Sequence, residues 1–273
     1  MRINHNIASM VAQGSGRVQN MSLQKSLEKL STGLRINRAS DDAAGLSVSE
    51  QLRSQVRGLK QAQSNASDGI ALLQIAEGAA NEMSSILQRM RELAIQSSND
   101  TLTSTERTYT DTEFQALMSE ISRISSATQY NGMTLLDGAA NSFGVDGGPS
   151  VLHIGANNNN NDVNGTIDTM TVGVDAVTLG ALGLTLTTSA DNGTNVTSQA
   201  NSFNAIDSID SAIKSVNNMR SDMGAYINRL DHAINNIANQ AFNTQDAEAR
   251  IRDVDFATET TKFTKAQILS QSA

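Results

Sequence analysis

Cysteine is absent from the 273 residues, tryptophan is absent, and there is one proline, Pro149. The missing thiols exclude disulfides, thiolate nucleophiles and cysteine-bound metals. They leave the chain compatible with any redox compartment, the cell exterior included. Hydrophobic residues make up 38% and aromatics 3%, too few for one thick core. Thin cores, such as seams between helices, need fewer large side chains. No apolar run is long enough to span a membrane. Residues 1–11 (MRINHNIASMV) hold one early cation and no continuous apolar stretch, unlike a secretory signal. Cations are also in deficit. The formal net charge of −8 argues against nucleic acid or an acidic membrane surface as partner, because phosphate contacts need clustered Lys and Arg.

What is present is unevenly distributed. No Lys or Arg lies between Arg123 and Lys214, while eleven of the 19 glycines fall from Gly132 to Gly193, together with Pro149 and the run NNNNN at 157–161. The chain divides into arm, middle and arm. In the first arm Leu23, Leu27, Leu30 and Leu34 step by three or four. After an interruption the steps resume through Leu52, Val56, Leu59, Ala62, Ala66, Ile70, Leu73, Ala76, Ala80, Met83, Leu87, Met90 and Ala94. The mean step is close to the 3.5 of a coiled coil. A second helix is predicted over 105–129, with Phe114, Leu117, Met118, Ile121 and Ile124 as its apolar stripe. The last arm repeats the pattern from Ile206 through Ile209, Ile213, Val216, Met219, Met223, Ile227, Leu230 and Ile234 to Ile237. The predicted fold class is mainly α, with long antiparallel coiled-coil-like arms from both termini and a small β/loop-rich central insertion. Periodicity alone fits equally a monomeric helical hairpin and a chain whose leftover faces bind other copies. In the middle, Asn131-Gly132 and Asp137-Gly138 are turn signals. Residues 151–154, 170–177 and 182–186 are β-prone, and the glycine- and asparagine-rich stretches between them suit an exposed surface.

A search for chemistry finds little. His5, His153 and His232 lie in separate segments without ligand-spaced partners, and no phosphate loop, HExxH or GxSxG pattern occurs. Gly14 and Gly16 lack the third glycine of a dinucleotide loop. The pair Asp41-Asp42 has the residue types for acid–base work, but Ser40 or Asp41 as a helix cap, with acids at the positive end of the dipole, explains it better. No enzyme activity, cofactor or metal is expected. Asparagines 99, 164, 192 and 195 match the short N-glycan acceptor pattern, which arises readily in so Asn- and Thr-rich a chain.

Specific blocks carry a resemblance. MRINHN at the start, LSTGLRINRASDDAAGLSVSEQLR at 30–53, LQRMRELAIQSSN at 87–99, TQYNGMTLLDG at 128–138, and NRLDHAINN followed by EARIRDVDFATETTKFTKAQILSQ resemble bacterial flagellin in the family's order. They cover both arms, about two-thirds of the chain. The resemblance implies a structural subunit that polymerises into the flagellar filament. It also implies three parts: an inner-tube helical domain from 1–43 and 253–273, an outer-tube bundle from 44–138 and 204–252, and a variable surface insertion at 139–203. The 30–53 block then becomes the joint between tubes. Gly33 and Gly45 would be its backbone soft points, and Asn37, Arg35, Arg38, Asp41 and Asp42 would supply subunit contacts. Partners implied are other copies of the chain, an export chaperone at the C-terminal end, the filament cap, and a host Toll-like receptor touching Arg89, Leu93 and Glu113. Localisation would be extracellular through the flagellar type III route, or in a periplasmic filament. The terminal arms hold too few large apolar side chains to offset their ordering entropy. Residues 1 to about 37, and those after about 252, are therefore expected to order on assembly. Flagellins usually continue past AQILSQ, so further helical turns beyond Ala273 are expected of a full-length chain. Rival readings are a hook–filament junction protein, a filament protein with an enzymatic middle, and a non-catalytic coiled-coil scaffold or adhesin.

Overall fold

The computed structural model describes residues 6–138, 150–157, 168–186 and 193–272. Among them the helices are α1 (Ile7–Thr32), α2 (Ala43–Ser97), α3 (Ser104–Ala127), α4 (Gln199–Arg252) and α5 (Phe256–Ser272). The strands are β1 (Gln129–Tyr130), β2 (Met133–Thr134), β3 (Ser150–His153) and β4 (Thr169–Val172). The mainly α class with helical arms is what periodicity predicted. Local side chains set the helix ends. Asn6 caps α1 by accepting from the Ser9 amide at 3.2 Å. Thr103 and Glu106 form a reciprocal capping box on α3. Asp255 accepts from the Ala257 amide at the start of α5, and Arg250 and Arg252 sit in the last turn of α4, where the dipole favours cations.

The chain forms two compact units, Gln61–Ile237 and Met1–Lys60 with Ala238–Ala273. In the first, α2 and α4 run antiparallel. Ser97 donates to the Val196 carbonyl and Gln199 to the Ser98 carbonyl near one end, and Leu230 lies beside Gly69 near the other. The predicted seams meet here. Ala66, Leu73, Ala76, Ala80, Met83, Leu87, Met90 and Ala94 of α2 share one buried cluster with Ile209, Val216, Met219, Met223 and Leu230 of α4. Phe114, Met118 and Ile121 of α3 close it. The Asn131–Gly132 turn, with φ of 50° and 80°, joins β1 to β2 as a two-residue hairpin requires. That hairpin delivers Leu135 and Leu136 to the core.

The middle segment departs from the sequence reading in two ways. Residues 173–177 and 182–186 form no strand. The Leu182, Gly183 and Leu184 amides bond locally to the Thr178, Gly180 and Leu179 carbonyls, so the backbone curls and has no free ladder edge. Nor are the described residues of the middle all surface. Met170, Val172, Val177, Leu182, Leu184 and Val196 are buried in the same core as the helices, because α2, α3 and α4 leave apolar surface that a third layer must cover. β3 and β4 pair antiparallel, Ser150 opposite Val172 and His153 opposite Thr169.

The second unit is thin. The helix α1 packs on α5, and the residue buried in α1 is a serine, Ser26. Ile36, Val56, Leu59, Ala241 and Ala266 supply its buried apolar side chains.

Candidate functional site

Within the Met1–Lys60/Ala238–Ala273 unit, the turn from α1 to α2 lies against the turn from α4 to α5. Gly33 ends α1 in the left-handed conformation, φ 73°, its amide bonded to the Lys29 carbonyl at 2.9 Å, a position where glycine avoids Cβ strain. Beyond it the two turns exchange backbone bonds. The Val254 amide donates to Gly33 at 3.0 Å, the Arg35 amide donates to Arg252 at 2.7 Å, and Leu34 bridges Asp253 antiparallel. The Arg35 guanidinium also donates to the Ile251 carbonyl. Ile36, 1% exposed, plugs the junction.

Each polar residue expected here has an intramolecular partner. The Asn37 amide group donates to the Thr32 hydroxyl at 2.8 Å. Arg38 pairs with Glu28 at 2.9 Å. One Asp41 oxygen pairs with Lys25 at 2.6 Å, and the other accepts from the Asn37 and Arg38 amides. The bound Lys25 ammonium and those amides hold the Asp41 carboxyl below its ordinary value, against burial. Asp42, and not Ser40 or Asp41, caps α2, accepting from the Gly45 amide at 2.9 Å. Asp41 is turned instead toward Lys25, which sequence spacing does not reveal. Gly45 lies inside α2 and is no soft point: a Cβ there would collide with the Asp42 carboxyl and come within 2.9 Å of Ile36 Cδ1. It is required by close approach.

Three features of this junction were missed in the sequence. Ser26 donates to Glu259 at 2.8 Å in the buried contact of α1 with α5. The two are 233 positions apart, and no local pattern pairs them. Burial pushes the Glu259 carboxyl up, but the Ser26 hydroxyl and the Lys262 and Lys29 ammonium groups outweigh it, and the net shift is downward. Arg252 pairs with Glu50 at 2.9 Å, joining α4 to α2. Val254 supplies one of the backbone crosslinks described above.

The other expected contact residues lie in the Gln61–Ile237 unit. Arg89 on α2 holds Glu113 on α3 at 2.9 Å and Glu92 at 3.1 Å, which raises the Arg89 value further. Arg89 and Glu113 are about half exposed. Leu93 is 1% exposed, inside the core, so its side chain is not on offer to a partner. His153 and His232 are exposed and separate; His5 lies outside the described residues, as do asparagines 164 and 192. Among the described residues no group of three or more His, Cys, Asp or Glu is arranged to hold a metal, and no helix is long and apolar enough to cross a membrane. The arrangement is one of interlocked turns and paired charges, with no nucleophile–base pair among them.

Comparison with known proteins bears on the family. Residues 3–141 match the bacterial flagellin N-terminal helical region, and residues 206–273 match the bacterial flagellin C-terminal helical region. Flagellin FlaB2 of Treponema pallidum is 44% identical over 281 residues, spanning 100% of this chain and 93% of that protein. The flagellin of Bacillus subtilis is 43% identical, spanning 100% and 94%. Among solved structures, Bacillus cereus flagellin superposes with a TM-score of 0.50 at 31% identity, over 68% of this chain and 94% of that one.

Proposed function

The chain belongs to the bacterial flagellin family, and from that premise we propose how its parts serve the polymer. It is a structural subunit of the bacterial flagellar filament, a homopolymer. One observation carries the proposed mode of assembly. Ile7, Met10, Val11, Val18 and Met21 are each between 62% and 67% exposed on α1. At 100° per residue they fall within about 100° of arc, one apolar stripe. A stripe that α5 leaves uncovered has its natural partner in other copies, each side chain contributing about 2 kcal/mol when buried.

On this reading residues 1–43 and 253–273 line the inner tube, 44–138 with 204–252 form the outer tube, and 139–203 covers that bundle with Met170, Val172, Val177, Leu182, Leu184 and Val196 turned inward and its exposed side on the filament surface. The interlocked turns act as the joint between tubes, with Arg38 an exposed charge among them. The terminal helices are ordered chiefly by assembly. The chain travels through the flagellar type III route to the exterior, or to a periplasmic filament, guided by a chaperone on the α5 end and inserted beneath a filament cap. No catalytic role is assigned. For host Toll-like receptor recognition, Arg89 and Glu113 form the surface pair and Leu93 supports it from beneath.

Seeded growth followed by electron microscopy tests the assembly reading. Val18→Asp should abolish elongation while leaving urea unfolding of the Gln61–Ile237 unit unchanged. Filaments of Val18→Asp growing at the parent rate would overturn it. A handful of copies per filament, in place of thousands, would favour the junction protein.

A further inference from the structure

A second surface of the terminal helix pair is chemically unlike the apolar stripe. Between α1 and α5 runs a groove of about 540 Å³ whose walls include Lys25 and Lys29 from α1 and Lys262 and Lys265 from α5. One carboxylate, Glu259, lies in it, and it is buried. Lys25 is engaged by Asp41 and Lys262 by Glu259. Among the described residues Lys29 and Lys265 form no ion pair. Two ammonium groups thus line one groove without a carboxylate in direct ion-pair contact, although Lys29 lies near enough to the buried Glu259 to act on it through space.

Charge is partitioned between the two compact units. The Met1–Lys60/Ala238–Ala273 unit carries 13 Lys and Arg against 9 Asp and Glu, a surplus of four positive charges. The Gln61–Ile237 unit carries 7 against 19, a surplus of twelve negative charges. Like units of two copies repel and unlike units attract. Exposed acids of the second unit that form no ion pair among the described residues include Asp68, Glu82, Asp222 and Asp231.

Resting on the filament reading, we propose that this lysine groove receives carboxylates from the Gln61–Ile237 unit of a second copy. The apolar stripe would supply adhesion, and the groove would select the orientation in which a copy is accepted, because apolar contact is non-directional and charge complementarity sets register.

The test uses filaments grown from an equal mixture of isotopically light and heavy full-length chain, treated with a carbodiimide that joins lysine directly to carboxylate. Light–heavy peptides joining Lys29 or Lys265 to an acid of the Gln61–Ile237 unit are expected. Lys29→Glu/Lys265→Glu should elongate on parent seeds roughly tenfold more slowly or worse, and Lys29→Arg/Lys265→Arg should restore growth. Joined peptides that are all within one copy, or that reach acids of the lysine-bearing unit alone, would overturn the proposal, as would parent-like growth of the reversed variant. Loss of the joined peptides on adding inorganic phosphate without any change in growth would also overturn it, leaving a simple anion site. If the parent chain itself formed no polymer, the filament reading and this site would fall together; parent growth without the crosslinks removes the site alone.

Discussion

Replacing Gly45 with alanine separates two opposing effects at one position. Gly45 sits in the first turn of α2, where alanine is intrinsically better than glycine by about 1 kcal/mol. The added methyl, however, meets the Asp42 carboxyl and lies 2.9 Å from Ile36 Cδ1. Displacing Asp42 removes the cap bond to the Gly45 amide, a loss of about 1 kcal/mol. Ile36 is 1% exposed and has nowhere to retreat, and overpacking of this kind costs about 1–3 kcal/mol. The net expectation is a penalty of about 1–3 kcal/mol. If the junction orders on assembly, that penalty falls on the polymer and not on the free chain. The concentration of chain left unpolymerised at the end of seeded growth then rises by about tenfold for each 1.4 kcal/mol. The assay is sedimentation of the filaments and quantitation of the supernatant. An unchanged or lower residual concentration would refute the clash. A penalty that appears in urea unfolding of the monomer and leaves the residual concentration alone would refute the ordering of the junction on assembly.

Other outcomes follow from the same geometry. Gly78→Ala and Gly224→Ala meet nothing within 4 Å and should each raise monomer stability in urea by about 0.5–1 kcal/mol. Phe114→Ala empties a fully buried site and should cost about 3–5 kcal/mol by the same measurement. The Glu259 carboxyl is held below its ordinary value in the folded chain, so its contribution is present above the unfolded value and lost as pH falls through the folded one. Polymer should therefore loosen on the acid side, and Glu259→Gln should flatten that part of a sedimentation profile against pH. Arg89→Asp breaks the pair with Glu113 and should lower signalling in a Toll-like receptor reporter assay; an unchanged signal removes the receptor assignment.

The seams were legible because burial repeats with the helical period. The α2 and α4 steps picked out by spacing alone include the side chains that fill the core, and the helix expected over 105–129 runs from Ser104 to Ala127. The Asn131–Gly132 turn was legible because its backbone needs positive φ at both residues. Caps were legible only to within a residue: two adjacent aspartates are equivalent in sequence, and which one bonds the helix start depended on Lys25 claiming Asp41. The burial of Leu182 and Leu184 was misjudged because alternation records which side chains are apolar, not whether the backbone between them finds a ladder or bonds to itself. Leu93 was misjudged in the opposite sense, since a motif match carries no information on which side of a helix faces solvent.

By itself the sequence determined the class, the seams and the family, because each is a matter of residue type and local spacing. The tertiary structure alone decided which charges are spent inside the chain and which stay available. It brought Ser26 to Glu259 and Arg252 to Glu50, and among the described residues it left the α1 stripe exposed and the lysines 29 and 265 outside any ion pair. The physical reason is that an ion pair or a buried hydroxyl depends on distance in space, and two terminal helices more than two hundred residues apart acquire that distance only when the chain has folded back on itself.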